Sequence, residues 1–510
     1  MTTESAIVSR EIVKETSLPE DLESEFSSFG NARRMLKMHG GFILYNHTST
    51  SWMIWKPNLG KWVVDNDGRV PELVKEMIRK IKIEASDLYF QSENTEDEEE
   101  GKRLRKRANA LMRWWNACQQ PKQVNNCLEI LKTDPAIAVT NGEFDINSDL
   151  FNFENGTLDV GKMEFYPHRK EDRITMSCGH GYDPDAKCPN WDKFVDRIFL
   201  NHPEKTDLIR YLQCALGTSL TGDTSDQKIY MPVGTGGNGK SVLMETMKLA
   251  YGQYGFSIAS QTLTLDSRNK IRNDIARLRG CRIVFASEAP LGSHLDDQLL
   301  KNLSGGDHIT VRFLYQEEFE FKPQLKLWWS FNRTPQTRDL SPGLWDRIRT
   351  IPFLERIRGT SEDIPMPELL KTYREEMSGI LNWLIDGFKD HKKIGKLPLC
   401  AAVMARVEEY QHECDQLYQF SEECFDVWNP AEHLGQGTPR EYAVKAIDAF
   451  NAYNYHARQN GVRLPLTGTG FGLRMKEKFG RENVVRREDG YYYNGVKLKP
   501  GVKTDWRGID

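Results

Sequence analysis

A chain of 510 residues, 39% hydrophobic and 28% charged, carries enough material for two to four domains, and its 10% aromatic content excludes a disordered polymer. No apolar run approaches the ~18 residues of a membrane span, and the start, MTTESAIVSREIVKE, lacks the apolar core of a secretory signal. The net charge of −4 excludes a globally basic coat for nucleic acid but not a local basic channel; nine scattered cysteines, an odd number, predict reduced thiols in a soluble, cytoplasmic protein.

In chain order, a tryptophan-rich region with turn signals (Trp52, Trp55, Trp62, then Asp65-Asn66-Asp67-Gly68) precedes an acidic run, Glu93 to Glu100, and a basic one from Lys102 to Arg107. These runs read as a solvated loop leading into a charged helix, with LMRWW beginning the next helix. FENGTLDV reads as a strand turning at Asn155-Gly156. YDPDAKCPNW (182–191) has the composition of a connector, and a helix follows to Leu200. Asp65-x-Asp67 and Asp183-x-Asp185 imitate a polymerase metal pair but read as turns, so no primer synthesis is expected. Cys178, His180 and Cys188 lack the spacing and the fourth ligand of a zinc site.

From Lys228 the pattern changes. Apolar strands at KIYMPV, CRIVFAS (281–287), LKLWWSF (325–331) and IRTIPF (348–353), separated by helices and long connections, predict a parallel α/β sheet. Between the first strand and the helix SVLMETMKLAYG lies Gly234-Thr235-Gly236-Gly237-Asn238-Gly239-Lys240-Ser241, which fits G-x-x-x-x-G-K-[ST] in the strand–loop–helix context that the motif needs. Its glycines let backbone N–H groups turn toward phosphate oxygens at a helix N-terminus; Lys240 reaches the β- and γ-phosphates, and the Ser241 hydroxyl ligates Mg²⁺. Such a site needs a carboxylate at a neighbouring strand's C-terminal end. Glu288 after IVFAS is the candidate catalytic base or water-positioning residue and a metal contact, with Ser287 where a second carboxylate is usual. Asn332 ends the next strand with an amide able to hold the lytic water or contact the γ-phosphate, or else simply opens the turn before Thr334-Pro335. Arg347 and Arg349 in WDRIRTIPF are candidates for an arginine supplied to a neighbouring subunit.

FENGTLDV, YDPDAKCPNW, LGTSLTGD, GTGGNGKS, ASE, LSGGDHITVRF, FKP, SFNRTP and WDRIRTIPF, in this order, resemble the superfamily 3 helicases of the AAA+ class, in the phage and plasmid branch related to poxvirus primase-helicases, without the primase domain. The resemblance runs from about residue 30 to the C-terminus. It implies Walker A at Lys240 and Ser241, the Walker B glutamate at Glu288, sensor 1 at Asn332 and the arginine finger at Arg347, with Arg349 in reserve. It also implies a B′ hairpin within 303–323 whose Arg312, Tyr315 and Lys322 face DNA, although Glu317, Glu318 and Glu320 sit awkwardly beside a polyanion. Lys301 is a candidate subunit-interface residue.

Residues 357–430 read as helices, with Ile380, Leu381, Leu384 and Phe388 on one face. Pro439 to Ala457 and Gly470 to Phe479 also read as helices. Val484 to Arg487 and Tyr491 to Leu498 read as a hairpin, together a winged-helix-like module. Residues 463–507 hold eleven Lys/Arg against five Asp/Glu, a net +6 (11 − 5), so Arg474, Lys476, Arg486 and Arg487 are expected to meet DNA phosphates. The expected domains are an α/β N-terminal region (1–110), a helicase-associated domain (111–205), the ATPase core (206–356), a helical segment (357–436) and the basic module (437–510). The function implied is an ATP- and Mg²⁺-dependent DNA helicase, a hexameric ring translocating on single-stranded DNA at a fork, in the host cytoplasm if phage-encoded, with a replisome primase or polymerase as a possible partner and no membrane. The alternative is a replication initiator or P-loop motor whose ATPase drives assembly or packaging.

Overall fold

The computed structural model describes residues 25–265, 273–289, 293–312, 318–337, 339–429, 440–462 and 465–504, so Tyr315 and Glu317 lie outside the described residues. The chain forms two compact units, residues 1–159 with 163–177 and residues 160–162 with 178–510.

In the first unit, α1 (Ser28–His39) leads to β1 (Ile43–Asn46), β2 (Ser51–Lys56) and β3 (Lys61–Val64), an antiparallel meander that β4 (Ala138–Val139) joins in parallel beside β1. Asp65 accepts from the backbone N–H groups of Arg69 and Val70, both at 2.8 Å, and so starts α2 (Arg69–Asn94). The acidic run spans the end of α2, a short link at residues 95–97 and the first turn of the next helix, so it leads into a charged helix as expected, with a shorter loop. Asp97 caps α3 (Glu98–Cys118), placing Glu98, Glu99 and Glu100 at the positive end of the helix dipole, and LMRWW lies inside this helix rather than at its start. With α4 (Pro121–Lys132), these helices and the sheet enclose Met35, Ile54, Trp62, Met77, Leu111 and Leu131. The expected boundary at 110/111 therefore falls within α3. β5 (Leu150–Asn152), β6 (Thr157–Asp159) and β7 (Glu164–Tyr166) form a second meander, turning at Asn155-Gly156.

The second unit is built on a five-stranded parallel sheet in the order β14-β8-β13-β10-β9: β8 is Ile229–Val233, β9 Gly255–Ser257, β10 Ile283–Ser287, β13 Lys326–Ser330 and β14 Ile348–Pro352. All five residues of β8 and of β13 are buried, as strands covered on both faces must be. α5 (Pro189–Ile198), α6 (Lys205–Gly217), α7 (Lys240–Tyr251), α8 (Asp297–Gly305), α9 (Met366–Glu375), α10 (Met377–Ile394), α11 (Ala401–Cys414) and α12 (Gln416–Cys424) are the main helices around it. α6 and α10 approach so closely that a Cβ on Gly387 would lie 2.2 Å from the Gln213 carbonyl oxygen. The connector before α5 lies along α10, where Asn382 donates to the Asp183 and Ala186 carbonyls and Ser378 accepts from the Asp183 N–H. His180 hydrogen-bonds the Leu249 carbonyl at 2.9 Å, tying the connector to the end of α7.

The C-terminal part adds β15 (Phe425–Val427), β16 (Ala443–Lys445), α13 (Ala446–Gln459), α14 (Gly468–Phe479), β17 (Val484–Arg487), β18 (Gly490–Asn494) and β19 (Val496–Leu498). The first helix begins at Ala446, later than the helical spacing predicts, because Ala443–Lys445 pairs with Tyr492–Asn494 as a strand. The hairpin's second strand breaks at Gly495, in the left-handed region (φ 84°), and β19 turns to pair with β15. Phe420, Tyr453, Phe471, Met475 and Tyr493 form the core of this module.

Candidate functional site

The strand order brings the predicted site together. β13 lies between β8 and β10, so the loop after β8, Glu288 after β10 and Asn332 after β13 meet at the C-terminal edge of the parallel sheet. They line one cavity of about 1030 Å³ that also holds Gly236, Gly237, Asn238, Gly239, Lys240, Ser241 and Ser287.

The loop's shape follows from its glycines. Gly236, Gly237 and Gly239 have φ of 99°, 68° and 87°, a region that residues with a Cβ rarely enter. A Cβ on Gly234 would lie 2.1 Å from the Phe353 carbonyl, so only glycine lets the loop pass under the end of β14. Asn238 holds that position by donating to the same carbonyl at 2.7 Å.

Lys240, 6% exposed, opens α7 and turns back into the loop, donating to the Gly234 carbonyl at 2.7 Å and the Asn238 side-chain oxygen at 2.9 Å. Burial lowers its pKa to about 8, with the Glu288 carboxylate pulling the other way. Glu288 stands at φ 42°, strained for a residue with a side chain; its N–H donates to the Ser330 carbonyl at 3.0 Å, and its carboxylate accepts from the Asn332 amide. A desolvated ammonium, a ring of inward glycines and a carboxylate steered by an amide are the donor set that a phosphate chain with a divalent cation requires, with the Ser241 hydroxyl and Glu288 as the available oxygen ligands.

Arg347 is not in this cavity. It precedes β14, whose Ile348 pairs with Ile229 and whose Pro352 pairs with Val233, so it sits at the opposite edge of the sheet, about 16 Å of strand from the loop, more than one arginine spans. Its guanidinium donates to the Gly343 carbonyl, and its Nε is buried with no hydrogen-bond partner among the described residues. Arg349 lies within β14, half-buried, with its guanidinium near Tyr211.

β11 (Ile309–Arg312) and β12 (Glu318–Phe321) form the expected antiparallel hairpin, in which Arg312 faces Glu318 and Thr310 hydrogen-bonds Glu320. Lys322 packs beside Gly306, at the base rather than the tip. Lys301 pairs with Asp339 of its own chain. In the C-terminal module, Lys476, Arg486 and Arg487 are exposed, Arg487 lying 4.3 Å over the Tyr492 ring. Arg474 differs: it is half-buried against a cavity shared with Asp415, Gln416, Leu466 and Thr467, because it falls on the opposite side of α14 from Lys476.

Several cavity residues carry no local motif. Phe194 from α5 and Ile364, Met366, Leu369 and Tyr373 around α9 form an apolar end, and Arg197 bridges Glu355 and Glu362 at its rim. The aromatic spacing in each helix marks a buried face, but nothing in either segment alone shows that the two faces meet.

Residues 32–200 match the family described as "D5 N terminal like", and residues 233–347, from the end of β8 to Arg347, match "Family of unknown function (DUF5906)". Among curated proteins, the chain is 28% identical over 299 residues to "Putative helicase L207/L206" of Acanthamoeba polyphaga mimivirus (54% of this chain, 30% of that protein), and 30% identical over 192 residues to "Putative helicase 022R" of Frog virus 3 (36% and 19%). The chain thus spans about a third or less of the length of these relatives. Among solved structures, "The A form apo structure of NrS-1 C terminal region-CTR" overlaps 93% of this chain and 99% of that one at 12% identity, with a TM-score of 0.47. By its D5 N terminal like region and its viral relatives, the chain is similar to the phage- and virus-type primase-helicase-like proteins that its motifs resemble.

Proposed function

We propose that the chain is an ATP-dependent DNA helicase that works as a ring of identical copies, a hexamer, moving along single-stranded DNA. The observation that carries this reading is the split machinery: Lys240, Glu288 and Asn332 share one cavity, while Arg347 stands at the far edge of the same sheet. A nucleotide site at one edge of the sheet and an arginine presented at the other are what a head-to-tail ring, in which each copy reaches its neighbour's site, requires.

A bound ATP–Mg²⁺ complex supplies a terminal phosphoryl group open to attack by water. The glycine loop's N–H groups bind the phosphate chain, and Lys240 exchanges its two loop contacts for phosphate oxygens. Ser241 and Glu288 hold the cation, Glu288 orients the water and takes its proton, and Asn332 keeps that carboxylate aimed. The apolar end of the cavity, with Phe194 and Tyr373, receives the nucleoside. Arg347 of the adjacent copy offsets charge developing on the phosphoryl oxygens. The β11–β12 hairpins then shift with the nucleotide state along one DNA strand, and the C-terminal module adds phosphate contacts through Lys476, Arg486 and Arg487.

Unwinding of a forked duplex tests this directly. Wild-type protein with ATP and Mg²⁺ separates the strands, and Lys240→Ala does not. Hydrolysis without strand separation, or tight DNA binding that survives Lys240→Ala with no unwinding, would replace the helicase by a motor or an initiator.

A further inference from the structure

We infer that Arg358 is a phosphate-binding residue of the nucleotide site, acting within its own chain; this rests on the reading of the cavity as a nucleotide site. No motif marks it, since it follows β14 by six residues in an irregular stretch.

Its backbone is fastened to the phosphate loop. The N–H groups of Ile357 and Arg358 both donate to the Gly237 carbonyl, at 2.8 and 2.9 Å. Contact at this point is direct: a Cβ on Gly237 would lie 2.6 Å from the Cβ of Arg358, so the loop's glycine is what lets the arginine stand against it. The side chain therefore starts from a fixed position on the loop and lines the cavity with Lys240 and Ser241.

The charges around it leave it available. Four cations line the cavity: Lys193, Arg197, Lys240 and Arg358. Arg197 is engaged by Glu355 and Glu362, and Lys240 is folded onto the loop. Lys193, exposed as Arg358 is, stands on α5 and has no backbone anchorage to the loop among the described residues. Of the nearby carboxylates, Glu362 is engaged by Arg197 and Asp363 accepts from the Gly359 N–H at 2.8 Å. Arg358 forms no ion pair among the described residues, although it sits in a cavity built for an anion. A planar, permanently charged guanidinium held at that place binds phosphate oxygens through two N–H groups at once, which a lysine cannot do. Arg358 thus supplies from within the chain a second fixed positive charge beside Lys240, distinct from Arg347, which serves the neighbour.

Both backbone bonds to Gly237 can persist when Arg358 is replaced by alanine or lysine, so Arg358→Ala tests the guanidinium alone. The measurement is binding of a fluorescent, non-hydrolysable ATP analogue with Mg²⁺ to full-length wild type, Arg358→Ala and Arg358→Lys, with the nucleotide-free melting temperature of each. Arg358→Ala is expected to weaken binding by roughly 10- to 100-fold, the loss of one charge-assisted phosphate contact. Arg358→Lys recovers part of that loss, and all three proteins melt within about 2 °C of one another without nucleotide. Affinity for Arg358→Ala within about twofold of wild type overturns the inference. So does a loss matched by a lower nucleotide-free melting temperature and not recovered by lysine. If wild type itself binds no analogue, the nucleotide reading of the cavity fails, and this inference with it; binding that is lost in Lys240→Ala but intact in Arg358→Ala refutes the inference alone.

Discussion

If the cavity takes a nucleotide as proposed, Lys240 makes that binding depend on pH in a way that can be worked out in advance. In the nucleotide-free chain, burial lowers its pKa to about 8, and its ammonium donates to two oxygens of its own loop. A triphosphate brings several negative charges to the ammonium and holds its proton, so above the nucleotide-free pKa the protein must take up a proton in order to bind. Affinity should be nearly flat below about pH 7.5 and fall about tenfold per unit above about pH 8, reaching roughly 30-fold, or about 2 kcal/mol, by about pH 9.5. The triphosphate does not blur this, because its own last ionisation, near pH 6, is complete. Calorimetric titration with a non-hydrolysable analogue, in two buffers of different ionisation heat, reads affinity and proton uptake together. Uptake should rise from about 0.1 proton at about pH 7 to about 0.9 at about pH 9. Lys240→Arg, whose guanidinium does not titrate in this range, should bind more weakly but with a flat profile and no uptake. A wild-type affinity unchanged to about pH 9.5, or an equal slope in Lys240→Arg, would refute the reasoning.

Other expected outcomes follow from individual contacts. Glu288→Gln keeps an oxygen for the Asn332 amide but loses the base, so hydrolysis should drop by about 10²- to 10⁴-fold while analogue binding stays near wild type. Since Glu288 is held at φ 42°, Glu288→Gly should be more stable to urea than Glu288→Ala, by about 1 kcal/mol. Gly387→Ala drives a Cβ to 2.2 Å from the Gln213 carbonyl and should cost about 1–3 kcal/mol in thermal unfolding as α6 and α10 are pushed apart. Arg486→Ala, at an exposed wing position, should weaken DNA binding and lower its salt slope by about one, whereas half-buried Arg474 should leave the slope unchanged on substitution by alanine.

What could be read from the residues alone tracks how local the chemistry is. The glycine loop is contiguous and flanked by an apolar strand and a helix, so the placement of Gly234 to Ser241 was legible, and that of Glu288 and Asn332 followed because each comes after an apolar strand of the same sheet. The acidic run at 93–100 is exposed and leads into a charged helix as its charge density suggests, but its loop is only residues 95–97, because Asp97 and three glutamates form a favourable helix start. Arg474 and Lys476 looked alike as cations, yet two residues along a helix point to different sides. Arg358, Phe194 and Tyr373 lay beyond reach because their meaning depends on which distant segments the sheet and helices bring to one cavity. Ala443–Lys445 became a strand through pairing with residues about fifty positions later, which helical spacing does not register.

Because the central claim is that each nucleotide is cleaved between two copies, mixing Lys240→Ala with Arg347→Ala protein is its most direct test. Each variant alone should be nearly inactive. In random mixed rings, the junctions that join an intact Lys240 to an intact Arg347 should restore hydrolysis to about a quarter of the wild-type rate. A mixture no more active than the sum of its parts, or Arg347→Ala hydrolysing at the wild-type rate as a monomer, would contradict the account.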